Sequence, residues 1–114
     1  MITAFDSKRF SGPAYLGTAA AALYTTATGK TALVQGMLLH NSGSAAATYT
    51  LHLVPSGDTA GAGNRIFHAS LDADETVLIS LGGGGLVLGE GDSIQGLASA
   101  TDTIVATIHG AEVS

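Results

Sequence analysis

Three stretches of the sequence carry residue types that could do chemistry. The run LGGGGLVLGEGD, residues 81–92, sets six glycines in twelve positions, the spacing class in which a backbone can cradle a phosphate. Gly29-Lys30-Thr31 repeats the ending of a phosphate-binding P-loop, but that loop needs a glycine five positions earlier, where this chain has Tyr24. The dinucleotide pattern G-x-G-x-x-G also fails, because Gly83-x-Gly85 leads to Leu88 and Gly89-x-Gly91 leads to Ile94. No helical periodicity follows either run to offer its N-terminus to an anion. Both are therefore expected to be turns: a tight one at ATGK, and two turns around a short apolar strand at 81–92. In the second, Leu86 and Leu88 share a face and Asp92 bonds the turn backbone. Four glycines in a row exceed what a turn needs, and the expected reason is close approach by a neighbouring subunit.

The other candidates are imidazoles and carboxylates. His40, His52, His68 and His109 are never two or four residues apart, so no metal site is legible, and His52, His68 and His109 are expected on outward or polar strand faces. Asp72, Asp74 and Glu75 in LDADE lack the glycine and distal glutamate of a calcium loop and are expected to form a charged hairpin turn. No serine, histidine and aspartate can be singled out as a triad, and no carboxylate pair stands out for acid/base work. The expectation is a protein that is not an enzyme, with no catalytic, cofactor-binding or metal-ligating residue and no cofactor.

The elements that position these residues follow from periodicity. Short segments rich in Val, Ile, Leu, Thr and Tyr, broken by Gly, Asp, Ser and Asn, predict strands near 14–16, 20–26, 31–41, 47–54, 65–71, 76–81, 86–88, 93–99 and 103–113. In ATYTLHLV the odd positions Tyr49, Leu51 and Leu53 should face the core. In TIVATIHG the even positions Ile104, Ala106, Ile108 and Gly110 should do so. TALVQGMLLHN keeps Val34, Met37, Leu39 and Asn41 together only if a β-bulge at Gly36 adds one residue. The alanines of GTAAAALY permit a helix, yet Gly17 and Thr18 precede the run, YTT follows it, and it is too short to hold itself as one.

The fold class expected is all-β, a single antiparallel β-sandwich, jelly-roll or Greek-key-like, of about 8 strands. The sandwich should span residues 13–114 and be preceded by 1–12, either an extended N-terminal arm or a first edge strand. As an arm, Ile2, Phe5, Arg9 and Phe10 would be the interface residues laid across a neighbour.

Composition narrows the partners. The chain has 114 residues, one domain's length, and no cysteine, so stability must come from packing and association. Charged residues are 11% of the chain, well below the roughly 25% typical of soluble domains, which favours close contact with other protein. Four basic residues against nine acidic ones, a net charge of −5, leave no footprint for direct nucleic-acid binding. No apolar run reaches the roughly 18 residues of a membrane span, and the N-terminus lacks a signal-peptide core, so a soluble, cytoplasmically made chain is expected.

Two quoted stretches carry a resemblance. LYTTATGKTALVQGMLLHNSGS, in which a tyrosine-bearing strand enters a Gly-Lys-Thr turn and leaves by a strand ending in Asn-Ser, resembles a recurrent element of small β-sandwich virion proteins of tailed bacteriophages and prophages. LVLGEGDSI resembles the Leu-x-x-Gly-Asp-x-Ile turn of the same group. The resemblance covers residues 12–112 and implies a virion structural protein, made in the host cytoplasm, that decorates or cements the capsid or attaches to the tail or neck. It implies a homo-oligomer, with a trimer favoured, in contact with major capsid or tail proteins, and it transfers no catalytic residue. The competing expectation is a tail-tip receptor- or carbohydrate-binding module, against which stands the absence of tryptophan, with Tyr15, Tyr24 and Tyr49 all inside predicted strands.

Overall fold

The computed structural model describes residues 5–82 and 85–114. Among these described residues nine strands run in order: β1 (Phe5–Tyr15), β2 (Ala21–Thr25), β3 (Thr31–Asn41), β4 (Ala47–Val54), β5 (Arg65–Leu71), β6 (Thr76–Ser80), β7 (Leu86–Leu88), β8 (Ser93–Ala98) and β9 (Ile104–Val113), with one 3-10 turn at Ala62–Asn64. Each predicted strand is present, the one near 14–16 as the end of the longer β1, and the alanine run forms no helix but enters β2 at Ala21. No helix among the described residues is long and apolar enough to cross a membrane.

The strands form two antiparallel sheets. One has the order β1-β9-β3-β6, with β7 sharing β3 beside β6, and the other the order β2-β8-β4-β5. Except at β4–β5 and β6–β7, each connection passes from one sheet to the other, which is the wiring of a jelly roll. Leu16, Met37, Leu39, Leu51, Leu88, Ile94, Ile104 and Ile108 fill the space between the sheets and are almost fully buried. Burial of each such side chain contributes about 1.5–3 kcal/mol.

Local patterning set most of these faces. Ile104, Ala106 and Ile108 point inward on β9, and Gly110 in the same alternation is buried against β3. On β3, the pairing with β9 shifts between Val34 and Gly36, the bulge that keeps Val34, Met37, Leu39 and Asn41 buried together. On β4, Tyr49 and Leu51 enter the core and Leu53 packs half-buried against it.

The structure corrects three expectations. LDADE does make a tight turn, with Glu75 N–H donating to the Asp72 carbonyl at 3.0 Å and Glu75 Oε1 accepting from Asp72 N–H at 2.7 Å. The strands it joins lie in opposite sheets, however, so it is a crossing between layers and not a hairpin. His52 points away from the core as expected, yet is buried, because the 55–64 connection folds over it. Its Nδ1–H donates to Asn64 Oδ1 at 3.0 Å, an oxygen that also accepts from Gly61 N–H. The close approach at the glycine run is intramolecular at Gly85, where φ is +82° and a Cβ would stand 2.5 Å from the Val34 carbonyl oxygen. Gly83 and Gly84 lie outside the described residues.

Residues 5–12, expected as an arm or an edge strand, belong to the edge strand β1. It pairs with β9 from Phe5–Val113 to Tyr15–Val105, with register shifts on both sides of Ser11. These irregularities, with Pro13 and the charges of Lys8 and Arg9, blunt an edge that would otherwise invite a further strand.

Candidate functional site

Three strands of the five-stranded sheet are apolar on both faces, and this sets the most distinctive surface of the molecule. β3 reads Met37-Leu38-Leu39, β6 reads Val77-Leu78-Ile79 and β7 reads Leu86-Val87-Leu88. In each triplet the outer members turn toward the core, and the middle one must point to the opposite side. Register then assembles the middle members. Leu38 stands opposite Leu78 on β6 and Thr107 on β9, while Val87 stands opposite Leu33, which in turn faces Ala111. A third row joins Tyr15, Val105, His40 and Thr76.

Leu78 (59% exposed), Val87 (58%), Tyr15 (52%) and Leu38 (41%) are the exposed large hydrophobics among the described residues, and all four lie on this one face. Between the apolar rows the His109 imidazole lies across Gly36, leaving no room for a β-carbon there, and Arg9 sits opposite His109 on the β1 rim. No strand position on this face holds a carboxylate: the acids lie in turns or, as with Asp6 and Glu112, point to the inner side. The outer face of the other sheet is also free of acids but more polar, with rows such as Thr48–Ser70 and Thr50–His68, the latter joined by a 2.8 Å hydrogen bond and continued by the half-buried Leu97.

A second feature lies between the sheets, where β1 meets β2. Glu112 Oε2 accepts from the Tyr24 hydroxyl at 3.2 Å and from Lys8 Nζ at 3.3 Å, tying β2 of one sheet to β1 and β9 of the other. The Phe10 ring packs on Tyr24 with centroids 4.5 Å apart at 39°. Desolvation acts to raise the Glu112 pKa, but the hydrogen bonds from Lys8 and Tyr24, with the nearby charges of Lys8 and Lys30, outweigh it and hold the carboxyl below its ordinary 4.5. Burial, and then the Glu112 contact, push the Tyr24 hydroxyl up.

A carboxyl whose pKa is depressed in the folded state contributes stability above its unfolded value, and that stability is lost as pH falls through the folded value. Glu112→Gln is therefore expected to lower the melting temperature at pH 7, and the gap to wild type should close below about pH 4. With Lys8 about half in solvent, the effect should not exceed about 1 kcal/mol. Thermal melts of both proteins across this range check it, and a gap that is constant with pH would exclude the lock.

The residues singled out in the sequence are dispersed among these features. Ile2 lies outside the described residues, as does the Phe5 side chain. Arg9 borders the apolar face, and Phe10 turns the other way, half-buried against Tyr24. Among the histidines, His40 (Nδ1 2.7 Å from Thr76 Oγ1) and His109 lie on the apolar face, His68 lies on the opposite sheet, and His52 is buried under its loop. Among the described residues no three His, Cys, Asp or Glu side chains gather where a metal could bind, and no pocket is present. Leu38, Leu78, Val87 and Tyr15 were not singled out in the sequence. The signal was the unbroken apolar triplets, since a strand apolar on both sides needs a covering layer on both.

No family model matches the sequence, and no curated protein matches it. A solved structure of infectious bursal disease virus, Gt strain, is similar at 10% identity with a TM-score of 0.32, over 96% of this chain and 28% of that one.

Proposed function

We propose that this chain is a structural component of a bacteriophage virion, a β-sandwich that decorates or cements the head, or attaches to the tail or neck, through protein–protein contacts. The observation that carries the reading is the concentration of exposed Leu38, Leu78, Val87 and Tyr15 on one sheet face, in a chain of which only 11% is charged. Exposed hydrophobics gathered on one face mark contact sites, whereas singly scattered ones do not. The jelly-roll wiring is one on which viral capsid and lectin domains are built, so it admits the reading without deciding it. The two stretches that resemble phage sandwich proteins favour the virion, and the placement of the apolar side chains on strands of one sheet face favours protein as the partner over a saccharide.

The test is occupancy on particles. Quantitative mass spectrometry of particles purified from a lysate of the strain carrying the gene should find the chain at a fixed stoichiometry to the major capsid or tail protein. A gene encoding Leu78→Lys should reduce that occupancy about tenfold or more, because a charge placed in a contact must be desolvated. Recovery of the wild-type chain only in the soluble fraction would overturn the reading, and binding in a glycan array would replace it with the receptor-binding one.

A further inference from the structure

We infer that the outer face of the five-stranded sheet is the contact surface for a second copy of this chain, packed sheet against sheet about a two-fold axis. The inference rests on the reading above, that this face is the working surface, and names its occupant.

Three observations support a self-contact. The first is area. β3 and β9 have 11 and 10 residues, so the face is about 35 Å long at about 3.3 Å per residue, and four strand positions about 4.8 Å apart make it about 19 Å wide. Two such faces bring together about 1,300 Å², within the roughly 1,200–2,000 Å² that stable interfaces bury.

The second is charge. Each copy carries −5, and two copies repel wherever their carboxylates meet. Seven of the nine acids, Asp58, Asp72, Asp74, Glu75, Glu90, Asp92 and Asp102, lie in the connections between strands, so end-on approach is unfavourable. Face-on approach through carboxylate-free rows is not, and of the two faces this one carries all the exposed large hydrophobics among the described residues. Its one permanent cation, Arg9, stands on the rim, where it keeps its water.

The third is symmetry. An apolar patch that is complementary chiefly to another apolar patch is satisfied by its own copy, and like surface on like surface generates an isologous pair. A closed trimer would need two different complementary patches, whereas the structure displays one. Sheets stacked in this way lie about 10 Å apart with their strands nearly aligned, so Leu38 and Leu78 of each copy would interdigitate as residues do inside the sandwich.

Sedimentation velocity of the full chain over a micromolar concentration series tests this. The wild type should sediment as a dimer. Leu78→Lys and Val87→Lys, both at exposed positions, should weaken the dimer about a hundredfold or more while leaving circular dichroism and the melt of the monomer unchanged. Ser70→Lys, on the opposite sheet, should leave the dimer intact. A wild type that is monomeric throughout, a dimer indifferent to both lysines, or a trimer would each overturn the proposal. A monomer that is nonetheless stoichiometric on particles would overturn the self-contact alone, and a lysine-sensitive dimer absent from particles would support the self-contact and overturn the virion reading.

Discussion

Asn41→Asp is expected to cost about 3 kcal/mol or more in folding free energy at pH 7. Asn41 ends β3 with no solvent exposure. Its Nδ2 donates to the Ala45 carbonyl at 2.9 Å and to the Leu71 carbonyl at 3.0 Å, and its Oδ1 accepts from Gly43 N–H at 2.8 Å. Its backbone is engaged as well, accepting from Asp74 N–H at 2.8 Å and donating to the Glu75 carbonyl at 2.9 Å. One side chain thus holds the 42–46 turn and ties the end of β3 in one sheet to the end of β5 in the other. Aspartate keeps the shape and the acceptor for Gly43 but turns the donor into an oxygen facing two carbonyl oxygens.

Burial also raises the pKa of a carboxyl placed there. A group whose folded pKa is raised is stabilised in its protonated form, so the deficit should shrink as pH falls and grow as pH rises through the folded value. Urea titrations of wild type, Asn41→Ala and Asn41→Asp at pH 4 and pH 7 check this. Asn41→Ala should lose about 2–3 kcal/mol with little dependence on pH. An aspartate variant as stable as wild type at pH 7 would show that the hub is not holding the two turns.

Gly110→Ala should be comparably severe, with a loss of about 3 kcal/mol and a melting temperature lowered by about 10 °C or more. Gly110 lies on β9 directly opposite Val34 on β3. A β-carbon there would collide with the Leu33 carbonyl oxygen and approach Gln35 N to 3.0 Å. Both are backbone atoms beside the β3 bulge, so no rotamer change relieves the clash, and the β3–β9 ladder must separate. Since these are the two central strands of the five-stranded sheet, the strain reaches the face on which the proposed contacts depend. Differential scanning calorimetry of Gly110→Ala beside Gly29→Ala separates steric collision from simple loss of glycine. Gly29 has φ +77°, and a β-carbon added there would meet nothing within 4 Å, so only its turn strain should register, about 1 kcal/mol.

Much of the architecture was legible because strand periodicity and turn chemistry are local. The period of two along β9 placed Ile104, Ala106 and Ile108 inward, and the break in that period at Gln35-Gly36 located the bulge before any partner strand was known. The second glycine turn was likewise written in its residues, with Asp92 Oδ2 accepting from Gly89 N–H at 3.0 Å, whereas the bond from Ser56 N–H to its Oδ1 at 2.9 Å joins a distant connection. In the ATGK turn, Lys30 N–H donates to the Ala27 carbonyl at 3.2 Å.

The rest depended on which strands became neighbours. Alternation says that a strand has two faces, but not what covers each, so the same outward-pointing position is buried for His52 under a long connection and open for Leu78 at a sheet edge. It does not say whether a tight turn closes a hairpin or crosses between layers, as LDADE does. Phe10 and Tyr24 stand on consecutive strands and meet because β1 and β2 sit at the same side of opposite sheets. The strands, their turns and most of their inward faces were readable from the chain alone, since these are written in residues within a few positions of one another. That Leu38, Leu78, Val87 and Tyr15, drawn from four separate strands, share one uncovered surface emerged from the fold, because strand pairing is set by contacts between segments that no local pattern connects.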